Sequence, residues 1–179
     1  MIPIQCQIEN YLTHVQYELK PINMLSSTPD RIEQLVRICN EPPIYSILFE
    51  KKLKGEPYSA EQAQGFFEWG NKGWREGAYF CFVVESPAGE IAAAIDIKSS
   101  HKEFAEAGYW SSSKHRGIMS NTLAALVMAA GTAGYQTLFA RVRKSNLASI
   151  KVLTNNQFIR DDAWMEEPTY FCYLRNLAL

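Results

Sequence analysis

The sequence predicts one mixed α/β (α+β) domain with a mostly antiparallel central sheet flanked by helices. Three observations predict it. Segments of helical period and segments of strand period alternate along the 179-residue chain. Two β-rich runs joined by the turn Pro87-Ala88-Gly89-Glu90 read as a hairpin. No internal repeat, low-complexity stretch or linker divides the chain, whose length suits one domain with a substantial core.

Residues 1–14 read as an N-terminal arm and 15–179 as the domain. Val15 to Ile22 alternates loosely and predicts a first strand. Pro29-Asp30 opens a helix with Ile32, Leu35, Val36 and Cys39 on one face. Pro42-Pro43 ends that segment, and 44–53 predicts a second short helix. Ser59-Ala60-Glu61-Gln62 is a capping-box pattern. It starts a helix with Ala63, Phe66, Phe67 and Trp74 inward, weakened near its end by Gly70 and Gly73. The hairpin strands are Tyr79 to Glu85 and Ile91 to Ile97, and Phe104 to Ser111 is a third strand. A helix follows from Asn121 to Ala133, with Leu123, Leu126, Val127 and Ala130 inward and Gly134 closing it. Thr137 to Val142 is a strand. Asn146 to Asn155 is a helix with Leu147, Ile150 and Leu153 inward. Phe158 to Arg160 and Thr169 to Leu174 close the chain as strands.

Composition narrows the function classes. A formal net charge of −1 gives no general attraction to nucleic acid or to an anionic membrane, so any anion site is local. No apolar run approaches the roughly 20 residues of a membrane span. The four cysteines, Cys6, Cys39, Cys81 and Cys172, form no metal-ligand spacing, which argues against zinc and suits a reducing cytoplasm. The start MIPIQCQIEN lacks the basic and long apolar segments of a secretion signal.

Two clusters carry the chemistry. The first is the loop Lys114-His115-Arg116-Gly117 before a helix. A helix N-terminus offers free N–H groups and partial positive charge to an anion, and Gly117 permits close approach or a positive φ. The other reading is a solvated basic loop before a helix capped by Ser120 or Asn121. The second cluster is Asn146 and Ser149, three apart at a helix start. Taken alone, an N-cap and a first-turn serine account for it.

Together, in order, the clusters resemble the acetyl-CoA site of the Gcn5-related N-acetyltransferase (GNAT) superfamily, in the group that acetylates ribosomal protein N-termini. The matching residues are Glu106-Ala107-Gly108-Tyr109-Trp110, then His115-Arg116-Gly117, then Asn146-Leu147-Ala148-Ser149 with Val152, Leu153 and Phe158. The hairpin also resembles the family's two central strands. The likeness implies a splayed strand pair at the cofactor site and an acetyl-CoA cosubstrate with no metal. It assigns Trp110, Ser111, Lys114, His115, Arg116, Gly117, Ile118, Met119, Ser120, Asn121, Asn146 and Ser149 to cofactor binding. Three positions depart from the family pattern: Met119 where a small residue is expected, Asn121 for alanine and Gln157 for glycine. Met119 either donates its backbone N–H with the side chain turned aside or crowds the pyrophosphate.

The implied reaction is direct attack of a primary amine on the thioester. A lysine-like amine has a pKa of about 10.4 and needs a base or a desolvating site at neutral pH. The resemblance offers Glu106 as the base, against a plain surface-facing strand residue. It offers the Trp110 and Ser111 amides as donors to the developing oxyanion. Ser149 is the nearest candidate for a proton or hydrogen bond to the leaving sulfur, since the tyrosine many members carry in that helix is missing. The alternative is a non-catalytic CoA-binding or protein-interaction domain on the same fold. The resemblance implies an acceptor that is a small amine or a peptide or protein N-terminus, taken by the aromatic segment 44–74 and by 164–173. In the first lie Tyr45, Phe49, Tyr58, Phe66, Phe67, Trp69 and Trp74, most of them readable as core. Glu166-Glu167 in the second reads as an attractor for a cationic amine or as a surface turn. Exposed aromatics on the first helices would suit a homodimer contact.

Overall fold

The computed structural model of the protein describes residues 4–161, 163 and 168–177. Eight strands form one sheet. They are β1 (Cys6–Glu9), β2 (Gln16–Pro21), β3 (Phe80–Glu85), β4 (Ile91–Ile97), β5 (Ala105–Ser111), β6 (Thr137–Arg143), β7 (Ile159–Arg160) and β8 (Tyr170–Asn176). Their spatial order is β1-β2-β3-β4-β5-β6-β8-β7. The helices are α1 (Pro29–Cys39), α2 (Pro42–Ile44), α3 (Glu50–Leu53), α4 (Ala60–Glu76), α5 (Met119–Thr132) and α6 (Leu147–Asn155). The mixed, mostly antiparallel sheet read from the sequence is the one observed. Every pairing is antiparallel except β5–β6.

β3 is buried along its whole length and β4 at every position but Asp96. Both strands are therefore sandwiched, which is why they read as continuous apolar runs rather than alternating ones. One core lies between the sheet and α5 and α6, with Leu123, Leu126, Ile95 and Leu153 at its centre. The other lies between the sheet and α1 and α4, around Leu35, Phe67 and Val83. Burying each such side chain contributes about 1.5–3 kcal/mol.

Several expectations are corrected. Residues 6–9, assigned to an arm, pair with β2 as an edge strand. Pro42 and Pro43 open α2 instead of only ending the preceding segment, because the missing proline N–H costs nothing in a first helical turn. Residues 42–53 then run as one helical stretch through a π turn at Tyr45–Phe49. Gly70 and Gly73, read as weakening the end of α4, lie within the helix, which continues to Glu76 and stops at Gly77 with φ 63°. A Cβ at Gly70 would lie 2.5 Å from Ile22, and one at Gly73 would lie 2.3 Å from the Tyr79 ring, so both glycines permit close packing. Leu147, expected inward, is 73% exposed because the buried face of α6 centres on Leu153. α5 begins at Met119, so Ser120 and Asn121 lie inside its first turn and neither caps it. The aromatics weighed for a dimer contact are buried or half-buried.

The backbone at Gln157 accounts for the glycine of the family pattern and not for the glutamine. It follows α6 with φ 60°, the left-handed conformation that glycine adopts without steric cost. Gln157→Gly is expected to stabilise the fold by about 1 kcal/mol and to raise Tm by roughly 2–4 °C in thermal denaturation.

Candidate active site

The site begins where two strands part. β5 and β6 pair only at Ala105–Leu138 and Glu106–Phe139. Beyond these, β5 stays with β4 while β6 pairs with β8 from Thr137 to Arg143. The Lys98 N–H donates to Glu106 and the Ser112 N–H donates to Ala92, so even-numbered positions of β5 bond to β4. By the alternation of an antiparallel ladder, the odd-numbered amides, those of Tyr109 and Ser111 among them, face the gap. This corrects one expectation: the Trp110 amide faces β4, and only Ser111 of the expected pair is turned to the opening.

A cavity of about 190 Å³ occupies the gap, lined by Tyr109, Trp110, Ser111, Met119, Asn146 and Ser149 and closed on one side by Ile44, Ile47 and Leu48. Asn146 caps α6, its Oδ1 accepting from the Ser149 N–H at 3.1 Å. The Ser149 hydroxyl lies 2.8 Å from the Tyr109 hydroxyl. Burial pushes the Tyr109 phenol well above its ordinary pKa, so it keeps its proton across the neutral range. Tyr109 thus brings a phenol to α6 from the neighbouring strand. Strand alternation, which puts residue 109 on the face of Ala107 and Ser111, is the signal that could have found it.

The loop after β5 leads to α5. Among the described residues no acceptor faces the amides of Gly117, Ile118, Met119, Ser120 and Asn121. These form an uncapped helix start, suited to an anion. Beyond them, Ser120, Asn121 and Ala124 line a shallow groove with Tyr11, Lys151 and Asn155. None of the last three was singled out from the sequence. Met119 is only 5% exposed, with its side chain in the core and against the first cavity. It narrows that cavity instead of crowding the helix start.

The loop's basic side chains divide. Lys114 is drawn away to Glu90 at 2.7 Å. His115 is buried edge-on against Tyr17, with Nδ1 3.0 Å from its hydroxyl. Burial holds the His115 pKa below its ordinary value, although Glu90 and Glu41 pull it up. Arg116 is exposed. The loop's start is fixed by Glu41, which accepts from the Ser112 hydroxyl at 2.6 Å and the Ser113 N–H at 2.6 Å.

The N-terminal hairpin turn holds the loop from the other side. Asn10 is 1% exposed and its Nδ2 donates to the Arg116 carbonyl at 2.9 Å. Its Oδ1 accepts from the Leu12 and Thr13 amides. Asn121 Nδ2 donates to the Glu9 carbonyl at 2.7 Å. Gly117 has φ 98°, and a Cβ there would lie 2.4 Å from Asn10 and 2.8 Å from Leu12.

Glu106 does not line either principal cavity. It bonds Lys98 at 2.8 Å and Arg141 at 3.0 Å. Burial raises its pKa, but these partners outweigh burial and hold the carboxyl below the ordinary range. The Arg141 bond crosses from β6 to β5 where the two strands diverge. Asp96, on β4 opposite Gly108, has an enclosed Oδ1 with no hydrogen-bond partner among the described residues. Burial raises its pKa from 3.8 to about 7.

A second cavity of about 440 Å³ lies on the α1–α4 face, lined by Phe49, Lys52, Tyr58, Phe66, Trp69 and Trp110. Trp110 therefore borders both cavities. Phe67 and Trp74 belong to the core, with Trp74 Nε1 donating to the Cys81 carbonyl. Tyr45 donates to the Glu56 carbonyl. Of the segment expected at 164–173, Trp164 to Glu167, with Glu166-Glu167, lie outside the described residues. Among the described residues no group of His, Cys, Asp or Glu could hold a metal, and no helix is long and apolar enough to cross a membrane.

A family model described as an acetyltransferase (GNAT) domain matches residues 24–159. Mycobacterium smegmatis RimJ in complex with CoA-disulfide superposes with a TM-score of 0.72 at 17% identity, covering 98% of this chain and 90% of that one. A RimL ribosomal L7/L12 alpha-N-protein acetyltransferase in complex with coenzyme A gives 0.71 at 19%, covering 96% and 98%. The microcin C7 self-immunity acetyltransferase MccE, in complex with acetyl-CoA and AMP, gives 0.69 at 14%, covering 89% and 92%. These likenesses show the fold. No curated protein matches the chain significantly.

Two outcomes follow from this geometry. Asn10→Ala, which leaves the Arg116 carbonyl and the Leu12 and Thr13 amides without their partner, should destabilise the fold by about 1–3 kcal/mol in urea denaturation, with the circular dichroism spectrum retained. Asp96 keeps its proton in the fold up to about pH 7, whereas the unfolded chain loses it near 3.8. The folded state binds more protons across that window, so stability falls as pH rises through it. Asp96→Asn should flatten this dependence in urea denaturation and be the more stable protein above pH 7.

Proposed function

The chain belongs to the GNAT acetyltransferase family, and from that premise we propose that it transfers the acetyl group of acetyl-CoA to a primary amine, of a small molecule or a protein N-terminus. The observation that carries the reading is the continuity of the strand gap with the uncapped start of α5. The first cavity suits the thioester arm, and the amides from Gly117 to Asn121 suit the pyrophosphate. The groove beside Tyr11 and Lys151 lies beyond them. Arg116, exposed at the loop, is the basic side chain left to add charge there, since Lys114 and His115 are engaged elsewhere.

The amine nitrogen attacks the thioester carbonyl, the C–S bond breaks with the electron pair leaving on sulfur, and the proton the amine gives up passes to solvent or to the departing thiolate, so that an amide and the CoA thiol result. The Ser111 amide, turned to the gap, suits the developing oxyanion. The Tyr109 and Ser149 hydroxyls, 2.8 Å apart in the same cavity, suit the leaving sulfur. A phenol with a raised pKa does not protonate a thiolate of pKa about 8.5 at equilibrium, so its part is to donate a hydrogen bond. Glu106 serves as the clasp of the strand gap: two cations hold it, and its depressed pKa makes it a weak base.

The test joins binding to turnover. Calorimetry should give micromolar binding of acetyl-CoA and CoA, and thiol release should depend on added amine. Tyr109→Phe should lower kcat about 10- to 100-fold, as expected for a lost hydrogen bond to a charged group, with little change in KM for the amine. Absence of acetyl-CoA binding would overturn the reading.

A further inference from the structure

Resting on the acetyl-transfer reading, we infer that the second cavity takes a primary amine that carries a planar aromatic group and, at its far end, an anionic group. The cavity is walled by rings. Phe49 and Tyr58 pack at 4.7 Å on one side, and Phe66 lies 6.1 Å from both Trp69 and Trp110 on the other. Tyr79 stacks behind Trp69 at 4.7 Å and donates its hydroxyl to the Trp69 carbonyl at 2.9 Å, which stiffens that wall. At about 440 Å³ the space matches an ordinary small-molecule site. Flat rings reward a flat ligand by stacking.

Two polar groups in the wall are already used. The Tyr58 hydroxyl donates to the Gln62 carbonyl at 3.1 Å, and Gln62 Oε1 accepts from the Ser59 N–H at 2.7 Å in the α4 capping box. Burial pushes the Cys39 thiol up to about 12, so it is inert. Among the described lining residues Lys52 is the one charged group, exposed at the mouth, and no carboxylate joins it. A polycationic acceptor would meet repulsion with no counter-charge. Rings can hold an ammonium ion, but an ammonium is not a nucleophile. Apolar walls favour the neutral amine, while an anion at the far end of the ligand pairs with Lys52 at the mouth. Because Trp110 borders both cavities, an amine at the inner end of this one adjoins the thioester space.

The experiment measures kcat/KM by thiol release for phenethylamine, 4-(2-aminoethyl)benzoate, O-phosphotyramine, spermidine and a serine-first peptide. The two anionic aromatic amines should exceed the other three by about tenfold or more, and the stronger of the pair identifies carboxylate or phosphate as the anion. Lys52→Glu, a change at an exposed position, should place phenethylamine above both. Preference for spermidine or the peptide, or an unchanged order in Lys52→Glu, would overturn the inference while leaving acetyl transfer intact. Quenching of tryptophan fluorescence by O-phosphotyramine, lost in Trp69→Phe/Lys52→Glu, gives a readout independent of turnover. No quenching in the unaltered protein would overturn the inference as well. Failure of acetyl-CoA to bind in calorimetry would instead strike the reading beneath it.

Discussion

The parting of β5 from β6 is the constraint on which the site depends. A strand edge inside a sheet leaves N–H and C=O groups without partners, and burying them unpaired is costly. Here β6 turns to β8 over its whole length while β5 keeps only β4, so the odd-numbered amides of β5 open into a cavity. The opening is limited at its base by Arg141, which reaches from β6 to Glu106 on β5. An exposed pair of this kind would contribute little. Glu106 is largely buried, and its two cations fix the point at which the strands separate. The carboxylate that the sequence offered as a base is therefore better accounted for as part of the frame.

A second dependence runs from the N-terminus. The uncapped start of α5 would be an unstable place for a loop with a positive-φ glycine and no side-chain cap. Asn10 and Glu9 anchor that start, Asn10 donating and the Glu9 carbonyl accepting, each across more than a hundred residues in sequence. They do so without covering the amides, because their partners are the Arg116 carbonyl and the Asn121 side chain. The loop is held by its carbonyl side and its N–H side stays available. Glu41 performs the matching task at the loop's entry through Ser112 and Ser113. Preorganisation of this sort removes much of the ordering cost that a flexible anion loop would add on binding.

What could be read from the sequence was whatever is local. The hairpin of β3 and β4, the capping box at Ser59 and the cap at Asn146 each depend on residues within a few positions of one another, and each is observed. The glycine at 117 was legible as a site of close approach, but not what approaches it. The side chains of Lys114 and His115 could not be aimed from the sequence, because Glu90 and Tyr17 decide their directions and neither adjoins the loop in the chain. The first strand escaped notice because four residues at a sheet edge carry too little pattern to separate them from an arm. Tyr109 was visible as part of a motif, yet its role required the distance to Ser149 on another element. Gly70 and Gly73 read as helix weakeners until Ile22 and Tyr79 are placed beside them.

The remaining difficulty for any amine acetylation is the proton. Glu106 is held in its charged form with a low affinity for a proton, and Asp96, whose affinity is matched to neutral pH, lines neither cavity and sits beside Lys98 across Gly108. The described residues thus place no well-matched base where an amine would lie. The work then falls on the environment. An α-amino group of pKa about 8 needs only about 1.4 kcal/mol to reach its neutral form at pH 7, against roughly 4–5 kcal/mol for a lysine-like amine. Under the inference drawn above, desolvation by the aromatic walls lowers this cost for an amine that enters the second cavity. Such a site works best on an amine that enters neutral.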